Sequence, residues 1–234
     1  MRATRATPVF YFSLRSPYSW LALHDLRQAD PKLLAQLRLV PFWEPDAEYQ
    51  AQLGQSGQAF LYNTMSREKH LYILRDVARL AARRGLRPTW PLDASPNWEV
   101  PHLAWVLADA AGKGLDFLVR ATHARWHEGL DICDPEIVAR IASELGLDPD
   151  SLAGAQTNAA ARESGLAHLK SCIDAGVFGV PYFAIGRNAF WGIDRLNEFL
   201  AAINETPGLA GATDVHAGNA PRASTIFDHA GGCG

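Results

Sequence analysis

The hydrophobic positions at the start of the chain follow first a strand-like, then a helix-like, then again a strand-like pattern. Residues 8–12 form a short apolar run, residues 17–28 carry apolar side chains at helical spacing, and residues 37–42 form a second short run. Pro41 lies near the end of that second run, and a sheet tolerates a proline at an edge or a terminus. The pattern predicts a β–α–β unit over residues 8–44.

The middle of the chain has the hydrophobic period of helices. It follows residues 45–68, which are rich in Gly, Gln and Ser and which we expect to form a loop or a mobile lid. Glycines stop most of the helical segments, and Asp134-Pro135-Glu136 is typical of a helix start. The predicted helices span residues 69–84, 98–111, 115–127, 135–145, a short segment from 149, and 157–175.

The last part of the chain returns to the pattern of strands. Residues 180–185 and 188–191 are short apolar runs around a Gly186-Arg187 turn, and residues 193–203 have a helical period. These features predict a ββα unit that follows the series of helices.

The turn Ser16-Pro17-Tyr18-Ser19 joins the first predicted strand to the first predicted helix. A strand, a turn and a proline at the first helical position are typical of a thioredoxin-like βαβ unit. Redox members of that fold have C-x-x-C here, where the helix N-terminus lowers the pKa of the first thiol. In this chain both cysteine positions hold serine. We therefore expect the thiol to arrive with a ligand, for which glutathione is the candidate.

The order of the elements predicts the fold class and the domains. We expect an α/β protein with a thioredoxin-like βαβ…ββα core and an inserted all-helical domain. The predicted core is discontinuous and spans residues 8–45 and 176–204. Residues 46–175 are the predicted inserted domain, and residues 205–234, which are rich in Ala, Gly, Thr and Pro, are a predicted flexible tail.

Val180-Pro181 precedes the third predicted strand. In thioredoxin-like folds an X-Pro bond at this place is cis, and the backbone of the preceding residue pairs with an extended peptide ligand. An ordinary trans proline that opens a strand is the alternative when the tripeptide Gly179-Val180-Pro181 is taken alone. Together with the serine turn, the cis bond is the favoured interpretation.

Two predicted helix starts carry charged candidates for ligand binding. The backbone near Ile193 suits the α-carboxylate of a γ-glutamyl group, and Asp194 its α-ammonium. Lys69 suits another ligand carboxylate. An ordinary helix cap and a solvated lysine are the alternatives. The aromatic residues Tyr18, Trp43 and Trp191 are candidates for a flat substrate pocket, or else for the core.

Composition and charge exclude several classes of protein. The chain has 234 residues, 48% hydrophobic content and a net charge of −3, which favour neither nucleic acid nor an anionic membrane as a partner. No run approaches the roughly 20 apolar residues of a membrane span, and the first residues lack the apolar region of a secretory signal. We expect a cytoplasmic protein.

Cysteine and histidine patterns favour neither a disulfide framework nor a metal site. The three cysteines are scattered, and we expect Cys133 and Cys172 to be buried or half-buried helix residues and Cys233 to be exposed in the tail. The histidines have no carboxylate partner at a ligand spacing.

Three segments together resemble a known family. They are FYFSLRSPYSWLA (10–22), EKHLYILRDVARLAARRGL (68–86) and GVFGVPYFAIGRNAFWGIDRL (176–196). Over about residues 8–204 the chain resembles the 2-hydroxychromene-2-carboxylate isomerase and kappa-class glutathione transferase group of the DsbA-like thioredoxin superfamily. Residues 60–65 match the stretch before the family lysine only loosely, and residues 42–45 match no known substrate site.

The resemblance implies glutathione as cofactor and a role for each candidate. Ser16 would hydrogen-bond and activate the sulfur, and Lys69 would contact the glycyl carboxylate. Val180 would pair through its backbone with the cysteinyl group, beside Pro181. Ile193, through its backbone, and Asp194 would hold the γ-glutamyl group, and Asn63 would add a weak contact.

The resemblance also implies an activity on a small aromatic substrate. In the isomerase, the thiolate adds to the conjugated hydroxychromene, the ring opens, a bond rotates, and elimination returns glutathione. A kappa-like transferase that releases a conjugate and a non-catalytic glutathione-binding protein are the alternatives. A dithiol oxidoreductase is disfavoured, since two serines cannot form a disulfide. We also expect a homodimer.

Overall fold

Four short strands form one sheet in the computed structural model, which describes residues 6–61, 65–93 and 96–205. The strands are β1 (Val9–Phe12), β2 (Arg38–Pro41), β3 (Tyr182–Ile185) and β4 (Asn188–Trp191), in the order β2-β1-β3-β4. β2 is parallel to β1, while β3 is antiparallel to both β1 and β4. The four predicted strands are confirmed, and Pro41 ends an edge strand as expected.

Helices fill the chain between the strands and after them. The predicted helices are confirmed, with ends that differ by at most three residues. The helices are α1 (Pro17–Ala29), α2 (Pro31–Leu34), α3 (Ala47–Gln55), α4 (Arg67–Arg83), α5 (Glu99–Ala110), α6 (Gly114–Trp126), α7 (Pro135–Glu144), α8 (Pro149–Ala153), α9 (Ala159–Asp174) and α10 (Leu196–Glu205). A 3-10 turn, Ile193–Arg195, leads into α10.

The segment after β2 differs from the prediction of a loop or lid. It contains α3, which begins where the side chain of Asp46 accepts a hydrogen bond from the Tyr49 N–H at 2.9 Å. Tyr49 and Leu53 are one helical turn apart and are both buried. The loop prediction is therefore wrong over Ala47–Gln55, because one cap and two apolar anchors outweigh a composition rich in Gly and Gln.

Both faces of the sheet are buried. On one face, Phe10 stacks on Phe183 with ring centroids 5.0 Å apart, and Phe12 meets Trp105 of α5 at 5.1 Å. On the other face, Tyr11 and Tyr182 pack in a cluster that includes Cys172 of α9. The largest core cluster combines sheet residues with residues of the middle helices. The division into two domains stays a prediction.

Several other expectations concern single residues or the chain ends. Cys133 and Cys172 are buried, as predicted, but only Cys172 lies in a helix, since Cys133 is in the turn before the Asp134 cap of α7. Cys233 lies outside the described residues. Glu205 is the last residue of α10, and the rest of the predicted tail also lies outside them. No helix within the described ranges is long and apolar enough to cross a membrane.

Candidate active site

The serine turn, the Val180-Pro181 segment and the start of the last helical segment meet at one end of the sheet. Tyr11 lies opposite Tyr182 in the antiparallel pair, so Val180 and Pro181 continue beside the end of β1, where the serine turn begins. On the other side, the Gly192 N–H donates to the Pro181 carbonyl at 2.9 Å. The Val180–Pro181 bond is cis, as expected.

Ser16 is the N-cap of α1. Its Oγ accepts a hydrogen bond from the Ser19 N–H at 3.2 Å, and its side chain is partly exposed. A hydroxyl has two acceptor lone pairs and one hydrogen. The cap uses a lone pair, so the hydroxyl hydrogen can be donated to a ligand. The N-terminus of α1 also provides a partial positive charge at this point.

Ser19 has a different role from Ser16. It is buried, with 3% of its surface exposed, and its Oγ accepts a hydrogen bond from the Ser13 N–H at 3.2 Å. Ser19 therefore supports the turn from inside. Of the two serines at the cysteine positions, Ser16 is the one placed to contact a ligand.

His102 lies directly under the serine turn and was not singled out from the sequence. Its Nε2 is 3.1 Å from the Leu14 N atom and 3.4 Å from Ser13 Oγ, and its Nδ1 is 2.7 Å from the Trp98 carbonyl oxygen. The ring is fully buried, and burial lowers the pKa of His102 to about 3. His102 is therefore neutral at neutral pH. A lone histidine in an apolar helix gives no sequence signal of a partner 88 residues away.

Lys69 lies in the first turn of α4. Its N–H donates to Ser66 Oγ at 3.2 Å, and its side chain forms no hydrogen bond or ion pair with any residue in the described part of the chain. Met65 packs in the same apolar cluster as Tyr18 and Ile193. The start of α4 is thereby brought to the side of the serine turn and of the Ile193–Arg195 turn.

α4 is also tied to α1 by polar contacts. The Tyr18 hydroxyl donates to Asp76 Oδ2 at 2.8 Å. Further along the two helices, the Arg84 guanidinium donates to both carboxylate oxygens of Asp25, at 2.7 and 2.6 Å. The helix that carries Lys69 therefore has a fixed position relative to the helix that Ser16 caps.

Asp194 lies in the 3-10 turn before α10 and is exposed. Its carboxylate is 3.6 Å from Nη2 of Arg195. The Nη1 atom of Arg195 pairs with Glu198. Gly192 has a φ of +102°, and a Cβ atom there would lie 2.5 Å from Asp194 Oδ1. The positive φ favours glycine at this position, and a side chain there would also require the Asp194 carboxylate to move.

The predicted aromatic pocket residues lie in different environments. Tyr18 and Trp191 are half-buried, and Trp191 meets the half-exposed ring of Phe178 edge to face at 4.7 Å. Trp43 has only 2% of its surface exposed and stacks on His102 at 5.3 Å. Trp43 thus packs against His102 in the core. Phe178, which was not singled out from the sequence, is a further exposed aromatic candidate beside Trp191.

Asn63 lies outside the described residues. Within the part of the chain that the structure describes, no three His, Cys, Asp or Glu side chains are grouped so that they could hold a metal ion.

Comparison with known proteins identifies the family. The model of the DSBA-like thioredoxin domain matches residues 8–204. The chain belongs to the DsbA-like thioredoxin family. The α/β fold with a thioredoxin-like core is thereby confirmed.

Relatives in this family include two enzymes with the same name. The chain is 28% identical over 189 residues to the 2-hydroxychromene-2-carboxylate isomerase of Sphingobium xenophagum, a match over 80% of this chain and 93% of that protein. It is 25% identical to the 2-hydroxychromene-2-carboxylate isomerase of Pseudomonas putida, over 80% of this chain and 89% of that protein.

Solved structures of the DsbA-like family have the same fold. A 2-hydroxychromene-2-carboxylate isomerase superposes with a TM-score of 0.66 at 23% identity, over 85% of this chain and 94% of that one. The cytosolic disulfide reductase DsbM of Pseudomonas aeruginosa, solved with GSH, superposes with a TM-score of 0.54 at 18% identity, over 83% of this chain and 97% of that one.

Proposed function

We propose that the protein is a glutathione-dependent isomerase that acts on 2-hydroxychromene-2-carboxylate or a similar intermediate of aromatic degradation. The observation that carries the proposal is the Ser16 hydroxyl. It caps α1 at the place where redox members have their first cysteine, and its hydrogen can be donated to a ligand sulfur. The two isomerases that match four-fifths of the chain support the choice of reaction.

The residues around Ser16 fit the chemistry of glutathione. The tripeptide carries a thiol, an ammonium group and two carboxylates. Ser16 and the N-terminus of α1 suit the sulfur, Lys69 suits the glycyl carboxylate, and Asp194 suits the ammonium group. The Val180 backbone, beside Pro181, suits the cysteinyl amide, and the Ile193 backbone suits the γ-glutamyl carboxylate. The DsbM structure with GSH supports the capacity of this fold to hold the ligand.

The chemistry of the site follows from its hydrogen bonds and charges. When bound, glutathione supplies a nucleophilic thiolate that each cycle returns. Ser16 donates its hydroxyl hydrogen to the sulfur, and the positive end of α1 favours the negative charge, so together they lower the pKa of the thiol. Lys69 and Asp194 hold the two ends of the tripeptide. Tyr18, Trp191 and Phe178 provide flat apolar surface for an aromatic ring.

Turnover per glutathione is the experiment that tests this function. With a hydroxychromene carboxylate and less than one equivalent of glutathione, we expect many product molecules per glutathione, because the elimination step regenerates the thiol. Product formation is followed by the change in ultraviolet absorbance. The Ser16→Ala variant is the control for reaction that does not depend on the site.

Other outcomes of the turnover experiment contradict the isomerase. A reaction that stops after one equivalent of glutathione, with accumulation of a conjugate, indicates a transferase. Binding of glutathione without turnover of either a hydroxychromene or a simple electrophile indicates a binding protein.

Lys69→Ala and Asp194→Ala are each expected to weaken glutathione binding. Each variant removes the partner of an opposite charge on the ligand, while both residues act at a distance from the sulfur. We therefore expect a higher Kd by calorimetry and a smaller change in kcat at saturating glutathione.

A matched lysine provides the control for these variants. Lys113 follows α5 at the end opposite to His102 and pairs with Asp116 at 3.1 Å. Lys113→Ala is expected to bind glutathione like the parent protein. If Lys69→Ala and Asp194→Ala also titrate like the parent, the proposed placement of the two ligand ends is wrong.

A further inference from the structure

The tautomer of His102 follows from its two partners. The Trp98 carbonyl oxygen, 2.7 Å from Nδ1, can only accept a hydrogen bond, so Nδ1 carries the hydrogen. The Leu14 N–H, 3.1 Å from Nε2, can only donate, so Nε2 is the bare nitrogen that accepts it. Both ring nitrogens of the neutral histidine are thus satisfied, one by the Trp98 carbonyl oxygen and one by the Leu14 N–H, two residues before the serine turn.

Hydrogen bonds continue from His102 to Ser16. Besides the Leu14 N–H, His102 Nε2 lies 3.4 Å from Ser13 Oγ, which accepts from the Arg15 N–H at 3.3 Å. The Ser13 carbonyl accepts from the Ser16 N–H at 3.1 Å. The backbone of residues 13–16, which leads to the Ser16 hydroxyl, is therefore held in place by the imidazole of His102.

The ring of His102 is held in place by its own neighbours. It stacks on Trp43 at 5.3 Å with an interplanar angle of 14° and meets Trp98 at 6.4 Å. The Trp43 indole N–H donates to Glu99 Oε1 at 3.3 Å, and that oxygen also accepts from the Asp46 N–H at 2.7 Å. His102 is therefore a rigid support, since packing and hydrogen bonds leave its ring one orientation.

We infer that His102 is the positioning residue of the active site: its neutral imidazole accepts from the Leu14 N–H and so sets the direction in which Ser16 offers its hydroxyl hydrogen. The effect on the turn follows from the structure alone. The effect on a bound thiolate rests on the proposed function. His102 does not contact the sulfur, and it acts through residues 13–16.

Variants of His102 separate its hydrogen bond from its volume. His102→Leu replaces the imidazole by an apolar side chain that fills much of its volume and makes neither hydrogen bond. In His102→Gln the side-chain oxygen replaces Nε2 as the acceptor for the Leu14 N–H, whereas the shorter His102→Asn can reach only the Trp98 carbonyl. His168→Leu is the matched control, because His168 is a half-buried histidine of α9 that packs against Trp105.

Three measurements are made on each variant. Hydrogen exchange of the amides of residues 13–16 is followed by NMR without any ligand. The pKa of the thiol of bound glutathione is measured by the ultraviolet absorbance of the thiolate. The kcat and the KM for glutathione are measured on a hydroxychromene carboxylate.

The expected results distinguish positioning from mere stability. His102→Leu and His102→Asn exchange the Leu14 amide faster, raise the thiol pKa toward that of free glutathione and lower kcat by roughly 10-fold, with a smaller change in KM. His102→Gln recovers most of each effect. His168→Leu loses stability but keeps the thiol pKa and the exchange of residues 13–16.

Two outcomes overturn the inference. One is a folded His102→Leu protein with parental exchange at Leu14 and a parental thiol pKa. If His102→Leu does not fold, equal values for His102→Gln and His102→Asn overturn it in the same way. A parent protein that binds no glutathione contradicts the proposed function instead, while the exchange data still decide the role of His102 in the turn.

Discussion

Ser16→Ala is expected to lower kcat at neutral pH by roughly 10- to 200-fold, because a hydrogen bond to a charged acceptor contributes about 1.5–3 kcal/mol. The variant also loses the acceptor for the Ser19 N–H at the start of α1. Glutathione affinity should change less, since Lys69, Asp194 and the Val180 backbone remain. The measurement is the pH profile of kcat, whose acid limb should move to higher pH as the thiol pKa rises.

A second helix cap provides the control for Ser16→Ala. Asn158 caps α9, where its side chain accepts from the Ala161 N–H at 2.9 Å. Asn158→Ala removes a cap of similar worth, about 0.5–2 kcal/mol of stability, with no sulfur involved. It should lower the melting temperature and keep kcat. Equal kcat for Ser16→Ala and the parent protein would show that Ser16 does not activate the thiol.

Acidification from pH 7 to pH 5 is expected to destabilise the protein by about 2 kcal/mol for each of two histidines. Burial lowers the pKa of His102 to about 3 and that of His168 to about 4, from an ordinary value of 6.5. Below pH 6.5 these two histidines are therefore protonated in the unfolded chain but remain neutral in the folded protein. This contribution to stability is fully present above pH 6.5 and is lost progressively down to about pH 3 to 4.

Two carboxyl groups act in the opposite direction. Burial raises the pKa of Glu99 and of Asp109, so that the folded protein keeps a proton on each more readily than the unfolded chain. Their contribution decreases as pH rises through their titration. The measured change of unfolding free energy with pH is the net effect of all these groups. We expect the histidines to dominate between pH 5 and pH 6.5, because this range lies closest to the ordinary histidine pKa.

Urea unfolding at the two pH values measures this dependence. Glutamine does not titrate, so His102→Gln and His168→Gln should each reduce the difference in unfolding free energy between pH 7 and pH 5 by about 2 kcal/mol. Asn158→Ala, which removes a helix cap and no titratable group, is the control and should keep the parental difference. A parental pH dependence in both buried variants would mean that these histidines are protonated in the folded protein.

Local sequence patterns were sufficient for the strands and for much of the site. The apolar runs predicted all four strands, and the proline next to Ser16 marked the start of α1. Val180-Pro181 and Asp194 were found because each stands at a fixed place next to a strand or a helix start. Their meeting at one end of the sheet follows from the antiparallel registers of β1 with β3 and of β3 with β4.

Features that depend on distant partners were not predictable from the sequence. Tyr49 and Leu53 anchor α3 by burial against other parts of the chain, which a Gly- and Gln-rich composition does not indicate. An apolar tryptophan such as Trp43 can face a pocket or the core, and only the packing on His102 places it in the core. His102 itself accepts a hydrogen bond from Leu14, which lies between the first strand and the first helix and is far from His102 in the sequence.

The two ties between α1 and α4 have a consequence for ligand choice. Since Tyr18 binds Asp76 and Asp25 binds Arg84, helix packing sets the distance between the start of α1, at Ser16, and the first turn of α4, at Lys69. On the proposed function, this fixed distance would select ligands by the separation between their thiol and their terminal carboxylate. On the proposed function, free cysteine should therefore bind more weakly than glutathione, because it lacks the glycyl carboxylate that Lys69 would hold.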